Sequence, residues 1–215
     1  VCDRHRGLGA DGLLLFAHDP ARAGHGSMRL LNADGSPSEI SGNGLRCLAA
    51  WIARVGGVRE VVIETDAGQK TLELLSHEDA RYTFRAAMGQ PADIALEQIV
   101  VGAERVEAVT LRVGNPQCVV LGEVTQSRLH SLASALAVHP RFPAGTNVEL
   151  ATVERPDHVR ILIWERGVGP TEASGTGACA AAVAAMEYGG ASRDVRVESP
   201  GGSQRVEWTA EGLFL

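Results

Sequence analysis

The sequence lacks the features that mark several large classes of protein. Aromatic residues make up only 4% of its 215 residues, and no apolar run approaches the ~20 residues that a membrane-spanning helix needs. It has no basic block, and its formal net charge is −6. Nucleic acid needs a positively charged surface. We therefore expect neither a membrane nor a nucleic acid as partner.

Cysteine is also scarce, and its spacing argues against the common cysteine sites. The four cysteines, Cys2, Cys47, Cys118 and Cys179, include no CxxC pair, and the histidines do not complete a zinc pattern. We therefore predict no metal site, and free buried thiols that behave as small apolar side chains. Free thiols indicate a reducing compartment, so the predicted location is the cytoplasm.

A glycine pattern at 7–12 matches G-x-G-x-x-G. A dinucleotide fingerprint follows a strand and opens a helix. Here the glycines precede a run, Leu13–Phe16, that is itself typical of a strand. A nucleotide cofactor is therefore not expected.

What the sequence does have is one segment that occurs twice. The first copy runs from Asn32 to Gly44, and the second runs from Glu165 to Gly177. In each copy a polar residue follows an apolar run, and nine positions later comes Ser-Gly-x-Gly, followed by an alanine-rich stretch. A duplication of this kind predicts two similar lobes that face each other across one site.

Each copy has the pattern of a strand, a turn and a helix. Strands are predicted at 28–31 and 159–164, and helices at 45–53 and 178–186. The second helix is apolar almost all round and should be buried. Ser41 and Ser174 are suited to cap the two helices, and open amides at a helix start attract anions. The pair predicts a shared site for a carboxylate or phosphate; the alternative is two ordinary capped helices.

Short strands outnumber helices along the whole chain. Further strands are predicted at 61–65, 70–75, 82–85, 108–113, 119–121, 195–198 and 205–208, with a helix near 127–137. This pattern favours an α+β fold over a wound parallel sheet. A first unit is predicted at 1–91 and a second at 92–215.

Eight segments spread over nearly the whole chain form a recognisable set: 3–12, 32–36, 42–47, 114–116, 142–147, 165–169, 175–180 and 199–202. In these segments the chain resembles the diaminopimelate epimerases, which are related to proline racemase. The resemblance implies two lobes related by pseudo-twofold symmetry, each a curled, mainly antiparallel sheet around a central helix. The internal repeat agrees with that architecture.

The resemblance also implies an activity. It is the epimerisation of LL-diaminopimelate to meso-diaminopimelate, in lysine and cell-wall precursor synthesis, without a cofactor. Two acid/base groups, one in each lobe at a helix start, move the proton of the α-carbon. The implied partner is a small dicarboxylic amino acid, and a homodimer is kept open.

Site residues follow from the resemblance residue by residue. Ser41 and Ser174 stand at the catalytic positions. The resemblance implies that the carboxylate at the reacting carbon is bound by Gly42, Asn43, Gly175 and Thr176, and the ammonium group by Glu165. The far end of the substrate would be bound by Asn32, Asn115, Asn147 and Arg166, with Arg166 suited to a bidentate carboxylate contact.

The sequence departs from the family at its most important positions. The family carries cysteine where Ser41 and Ser174 stand, and usually histidine where Gln117 stands. The chain also begins about thirty residues later than the family and stops before its last strand. A hydroxyl is a far weaker acid than a thiol, whose pKa is about 8.5, so we expect the chain as written to be impaired.

Three hypotheses follow from these departures. One is an epimerase whose two cysteines were replaced, which leaves an inactive form that binds substrate. A second is a natural relative with other chemistry, such as an isomerase or dehydratase of a small carboxylic acid. The third is a binding protein that kept the anion site.

Overall fold

The chain divides into two compact units, Val1–Ala87 and Met88–Leu215. The computed structural model describes residues 1–10, 12–38 and 41–215. Three residues of the sequence motifs, Asp11, Glu39 and Ile40, lie outside the described residues. Each unit contains a mainly antiparallel sheet and one long helix, so the predicted α+β class is confirmed.

The first unit carries one long helix against a five-stranded sheet of order β1-β2-β4-β5-β6, with β3 paired to β2. Its elements are β1 (Gly12–His18), β2 (His25–Asn32), β3 (Pro37–Ser38), α1 (Gly42–Gly56), β4 (Glu60–Thr65), β5 (Gly68–Glu78) and β6 (Arg81–Gly89), the last of which ends in the second unit.

The second unit has a longer sheet of order β15-β14-β13-β11-β10-β9-β8-β7, with β12 paired to β11. Its strands are β7 (Ala92–Val101), β8 (Glu104–Val113), β9 (Asn115–Leu121), β10 (Asn147–Arg155), β11 (His158–Glu165), β12 (Gly169–Thr171), β13 (Asp194–Ser199), β14 (Gly202–Trp208) and β15 (Leu213–Phe214). Its helical segments are α2 (Gln126–Arg128), a π-helical turn (Leu129–Ala133), α3 (Ser134–Ala137) and α4 (Gly175–Tyr188).

The sequence repeat is a repeat of topology. In the first unit β2 pairs with the short antiparallel β3, α1 follows, and β4 then returns parallel to β2. In the second unit β11 pairs with the short antiparallel β12, α4 follows, and β13 returns parallel to β11. Even the register matches, because Leu31 pairs with Pro37 as Trp164 pairs with Pro170. The same local rule therefore builds the same motif in both units.

The two repeat helices differ in how much of their surface is covered. Every residue of α4 from Gly175 to Met186 is buried, as its apolar sequence predicts. Helix α1 is amphipathic: Leu45, Leu48 and Ile52 are buried, whereas Trp51 is 55% exposed. Small alanines let the sheet approach α4 closely, so α4 is the helix around which the second unit is built.

The predicted burial of the thiols is confirmed for two of the four cysteines. Cys118 and Cys179 are buried, Cys2 is half-buried, and Cys47 is exposed. The prediction was wrong for Cys47 because it lies on α1 between the buried positions Leu45 and Leu48, off the apolar stripe of the helix. Within the described residues, no helix is both long and apolar enough to cross a membrane.

The end of α1 gives a matched test of backbone conformation. Gly57 caps the helix with φ 64°, whereas Gly56 is helical and its added Cβ would first meet Val58 at 3.8 Å. Gly57→Ala should lower the free energy of unfolding by about 1 kcal/mol, because an alanine at positive φ is strained. Gly56→Ala should raise it by about 0.5–1 kcal/mol through helix propensity. Urea unfolding measures both; equal effects would contradict the assigned helix end.

Candidate active site

Both predicted cap serines occupy the same local geometry. Ser41 has φ −126° and ψ 119°, and its Oγ accepts a hydrogen bond from the Gly44 amide at 3.1 Å. Ser174 has φ −142° and ψ 126°, and its Oγ accepts from the Gly177 amide at 3.2 Å. A helix N-cap is typically a residue with extended backbone whose side-chain oxygen accepts a hydrogen bond from the amide three residues later. Both repeat helices therefore have a capped start, as the repeat predicts.

The amides next to each cap point out of the helix ladder. The first amide that donates to a cap carbonyl is that of Leu45 in α1, at 2.8 Å, and that of Ala178 in α4, at 2.9 Å. The amides of Gly175 and Thr176 come before it, where a helix has no internal acceptor to offer. Together with the helix dipole they favour an anion at this end of α4.

In the first unit, Asn32 and Asn43 lie at the two ends of the connection between β2 and α1. Asn32 closes the turn after β2, where its Nδ2 donates to Ser36 Oγ at 2.9 Å. Asn43 is exposed in the first turn of α1, and its Oδ1 accepts from Arg46 at 2.5 Å. Gly42 beside it is buried. The side chains predicted to contact substrate in this unit are thus placed by a turn and a helix start.

In the second unit, a hydrogen-bonded network joins several predicted site residues. The Arg166 amide donates to Asn147 Oδ1 at 2.9 Å, and Asn147 Nδ2 donates to the Pro116 carbonyl at 3.4 Å. On β9, Gln117 Nε2 donates to Asn115 Oδ1 at 2.6 Å. Arg166 itself is exposed and donates to the Ala144 carbonyl at 3.2 Å. The network fixes Asn147 from both sides and leaves the Arg166 side chain at the surface.

Glu165 is the acidic member of this group. Its Oε1 accepts a hydrogen bond from Thr171 Oγ1 at 2.8 Å, across the β11–β12 pair. Burial raises the pKa of Glu165, and the hydrogen bond from Thr171 partly opposes that shift. A half-buried carboxylate next to a polar network is suited to bind an ammonium group, because the cation restores the lost solvation.

Two buried side chains in the same region were not assigned a role from sequence. Gln117 is 1% exposed, and its Oε1 has no hydrogen-bond partner among the described residues. Glu149 on β10 is fully buried, and neither of its carboxyl oxygens has one. Native proteins pair nearly all buried polar atoms, so these atoms call for an explanation. The signal in the sequence was faint: one Glu between Val148 and Leu150, in a run that also contains Asn147.

The predicted residues therefore fall into two groups, one in each unit. Residues Asn32, Ser41, Gly42 and Asn43 belong to the first unit. Residues Asn115, Asn147, Glu165, Arg166, Ser174, Gly175 and Thr176 belong to the second. Within the second group, the α4 start lies against the sheet face that carries Glu149, because an added Cβ on Gly177 would lie 2.7 Å from Glu149 Oε1.

Comparison with known proteins assigns the family. A sequence model described as "Diaminopimelate epimerase" matches residues 1–93 and 109–214. A diaminopimelate epimerase from Desulforudis audaxviator is 42% identical over 224 residues, covering 97% of this chain and 80% of the relative. Another from Heliobacterium modesticaldum is 38% identical over 229 residues, covering 98% of this chain and 80% of the relative.

The chain belongs to the diaminopimelate epimerase family. Its fold is also that of a solved structure of a probable proline racemase from Agrobacterium radiobacter K84, with bound carbonate. The TM-score is 0.69 at 19% identity, over 94% of this chain and 70% of that one. At that identity the likeness supports the fold alone.

Equivalent glycines in the two family repeats provide a matched test of the α4 start. Gly177→Ala would place its Cβ 2.7 Å from Glu149 Oε1 and 3.2 Å from Ser174 Oγ, inside a buried region. Gly44→Ala would meet Leu14 Cδ1 at 3.3 Å, and a leucine can move. We expect Gly177→Ala to lower the free energy of unfolding by about 1–3 kcal/mol, and Gly44→Ala to cost much less. Urea unfolding of both variants measures the difference, and a Gly44→Ala loss as large as that of Gly177→Ala would contradict the packing described.

Proposed function

We propose that this chain binds diaminopimelate and is built for its epimerisation from the LL to the meso form without a cofactor, with turnover weakened by its two serines. The observation that carries the proposal is the duplicated helix start, capped by Ser41 in one unit and Ser174 in the other. Inverting a carbon requires an acid/base group for each of its faces. A motif repeated once in each unit supplies two.

The α-carboxylate is assigned to the amides at these helix starts. Gly42 and Asn43 follow the first cap, and Gly175 and Thr176 follow the second. Amides preorganised around a carboxylate stabilise the negative charge that spreads onto it as the α-proton leaves. This is the interaction that lowers the barrier, because the charge on that carboxylate increases in the transition state.

Recognition of the rest of the substrate is assigned to the polar residues around them. Glu165 is suited to bind the ammonium group, because it is half-buried and its carboxylate already accepts one hydrogen bond from the Thr171 hydroxyl. Arg166 offers its exposed guanidinium to the far carboxylate, and Asn32, Asn115 and Asn147 offer amide groups to the far end. A substrate charged at both ends fits this distribution better than a simple monocarboxylate does.

The serines limit the chemistry more than the binding. A serine hydroxyl keeps the cap and the approximate shape of a cysteine, but its acidity is far lower than that of a thiol with pKa of about 8.5. Ser174 Oγ is hydrogen-bonded to the Gly177 amide and lies 3.4 Å from Thr176 Oγ1, and neither of these groups is a base. A proton-abstracting group works best with a pKa near the operating pH. Binding without efficient turnover is therefore the expected behaviour.

A homodimer and a cytoplasmic location stay predictions.

The substrate assignment is tested at Arg166. Arg166→Ala should weaken diaminopimelate binding at least about tenfold, because a charge-assisted contact to the far carboxylate is lost. Arg196→Ala, an exposed arginine on β13, is the control and should leave affinity unchanged. Isothermal calorimetry measures both. Equal affinity of Arg166→Ala and the parent chain would show that the far carboxylate binds elsewhere.

The chemical assignment is tested by restoring thiols. The chain as written should epimerise diaminopimelate several orders of magnitude more slowly than an ordinary enzyme, which turns over at ~1–10³ per second. Ser41→Cys and Ser174→Cys together should raise the rate, and neither single change should support full epimerisation, because each position serves one face. Exchange of the α-hydrogen in heavy water and chiral chromatography follow the two steps. An ordinary rate from the unchanged chain would mean that the hydroxyls are activated by a group not identified above.

A further inference from the structure

Glu149 is a fully buried acidic side chain in the second unit that the proposed substrate contacts do not use. It lies in the middle of the apolar part of β10, between Val148 and Leu150, and its exposure is 0%. Both of its carboxyl oxygens are buried and lack a hydrogen-bond partner in the part of the chain that the structure describes. A charged carboxylate in such a place costs several kcal/mol, whereas a neutral acid costs far less.

The side chain is aimed at the start of α4. Alternation along β10 puts Asn147 and Glu149 on one face of the sheet, while Val148 and Leu150 join the apolar core on the other. Glu149 Oε1 and Ser174 Oγ lie 2.7 and 3.2 Å from the point that a Cβ on Gly177 would occupy. The carboxyl group therefore lies directly beside the backbone whose amides open α4.

The charged and titratable groups around Glu149 oppose its ionisation. On β11 the charge of Glu165 adds to burial, and both raise the pKa of Glu149 well above its usual range. On β9 the Cys118 thiol is itself buried, and Glu149 contributes to the rise of its pKa. From α4, Ser174 and the Thr176 hydroxyl face the site without charge. Burial and the charge of Glu165 favour the neutral acid, and the positive end of α4 opposes that preference.

We propose that Glu149 is a positioning residue that sets the charge of the α4 anion site: protonated, it leaves the opening amides free to hold a carboxylate, and ionised, it repels that carboxylate from behind. The inference rests on the proposed function for the identity of the ligand. It assigns to Glu149 a role that the substrate-contacting residues do not supply, because a buried negative charge beside the helix start would cancel the attraction of the helix dipole.

The direction of the pH effect follows from linkage. The folded-state pKa of Glu149 lies above its unfolded value, so the folded protein holds the proton over a pH range in which the unfolded chain has lost it. The contribution of Glu149 to stability is therefore fully present below pH 4.5 and is lost as pH rises from 4.5 towards the raised pKa. Anion affinity stays constant below the raised pKa, and falls about tenfold per pH unit above it if only the protonated form binds.

The test compares the parent chain with Glu149→Gln, which keeps the shape and neutrality of the protonated acid. Calorimetry with meso-diaminopimelate is run from about pH 6 to about pH 9, the range in which buried glutamates titrate. We expect the affinity of the parent chain to fall with rising pH more steeply than that of Glu149→Gln. Because both proteins retain Glu165 and Cys118, and the ligand is the same, the difference between the two profiles belongs to Glu149.

A second readout needs no ligand. Amide signals of Thr176 and Gly177 in nitrogen-15 spectra should shift with pH in the parent chain and stay nearly constant in Glu149→Gln. A carboxylic-acid C=O band in the infrared spectrum at neutral pH should disappear in the variant. Both readouts still apply to the parent chain if the variant folds poorly, because the titration of its own amides reports the proton.

The outcomes separate the two proposals. If neither protein binds diaminopimelate at any pH but the amides titrate as expected, the substrate assignment fails and the role of Glu149 as the charge-setting group stands. If both bind with the same pH profile, or if the amides of Thr176 and Gly177 do not respond to pH, the inference about Glu149 is overturned while the substrate assignment stands.

Discussion

The structure of the second unit depends on one constraint: the opening amides of its buried helix, α4, need hydrogen-bond acceptors. Helix α4 has alanine, glycine and valine where other helices have charged residues, so its body needs nothing but close packing. Its start is different, because the opening amides of a helix have no internal acceptor and are costly to bury unpaired. Ser174 satisfies one of them, and the polar sheet face next to it carries Asn147, Glu149 and Glu165. A buried helix thus forces a polar site to exist at its end.

The first unit uses the same local device in a less buried setting. Ser41 caps α1 as Ser174 caps α4, and the strands before and after each helix are paired in the same sense. Yet α1 keeps one exposed face, with Trp51 in contact with Phe16 at a ring distance of 5.9 Å. The duplicated motif therefore preserves the geometry of the helix start, while the packing around the helix body has diverged.

The sequence was sufficient for those parts of the fold that depend on local pattern. Ser-Gly-x-Gly before an apolar stretch predicted both caps, and short apolar runs predicted β2 and β11. Strand β10 was not predicted, because Asn147 and Glu149 interrupt the apolar pattern on a face that is nonetheless buried. Strand β9 starts earlier than the predicted strand at 119–121, because pairing with β8 extends it over Asn115-Pro116, a sequence typical of turns.

The same limit explains what could be inferred about the site. The residues of the helix starts, with Glu165 and Arg166, could be proposed from the sequence because they form motifs along the chain. The interest of Glu149 depends on which groups are left without partners after the sheet has formed, and spacing carries no such information. The exposure of Cys47 was likewise missed, because it depends on which side of α1 the sheet covers.

The central claim is that the capped helix start of each unit can hold an anionic group of an amino-acid ligand. The most direct measurement is a titration with meso-diaminopimelate, followed by the nitrogen-15 amide signals of Gly42, Asn43, Gly175 and Thr176. The account predicts that the signals from both helix starts move as ligand is added. Movement confined to other parts of the chain, with these four amides unchanged at saturation, would contradict it.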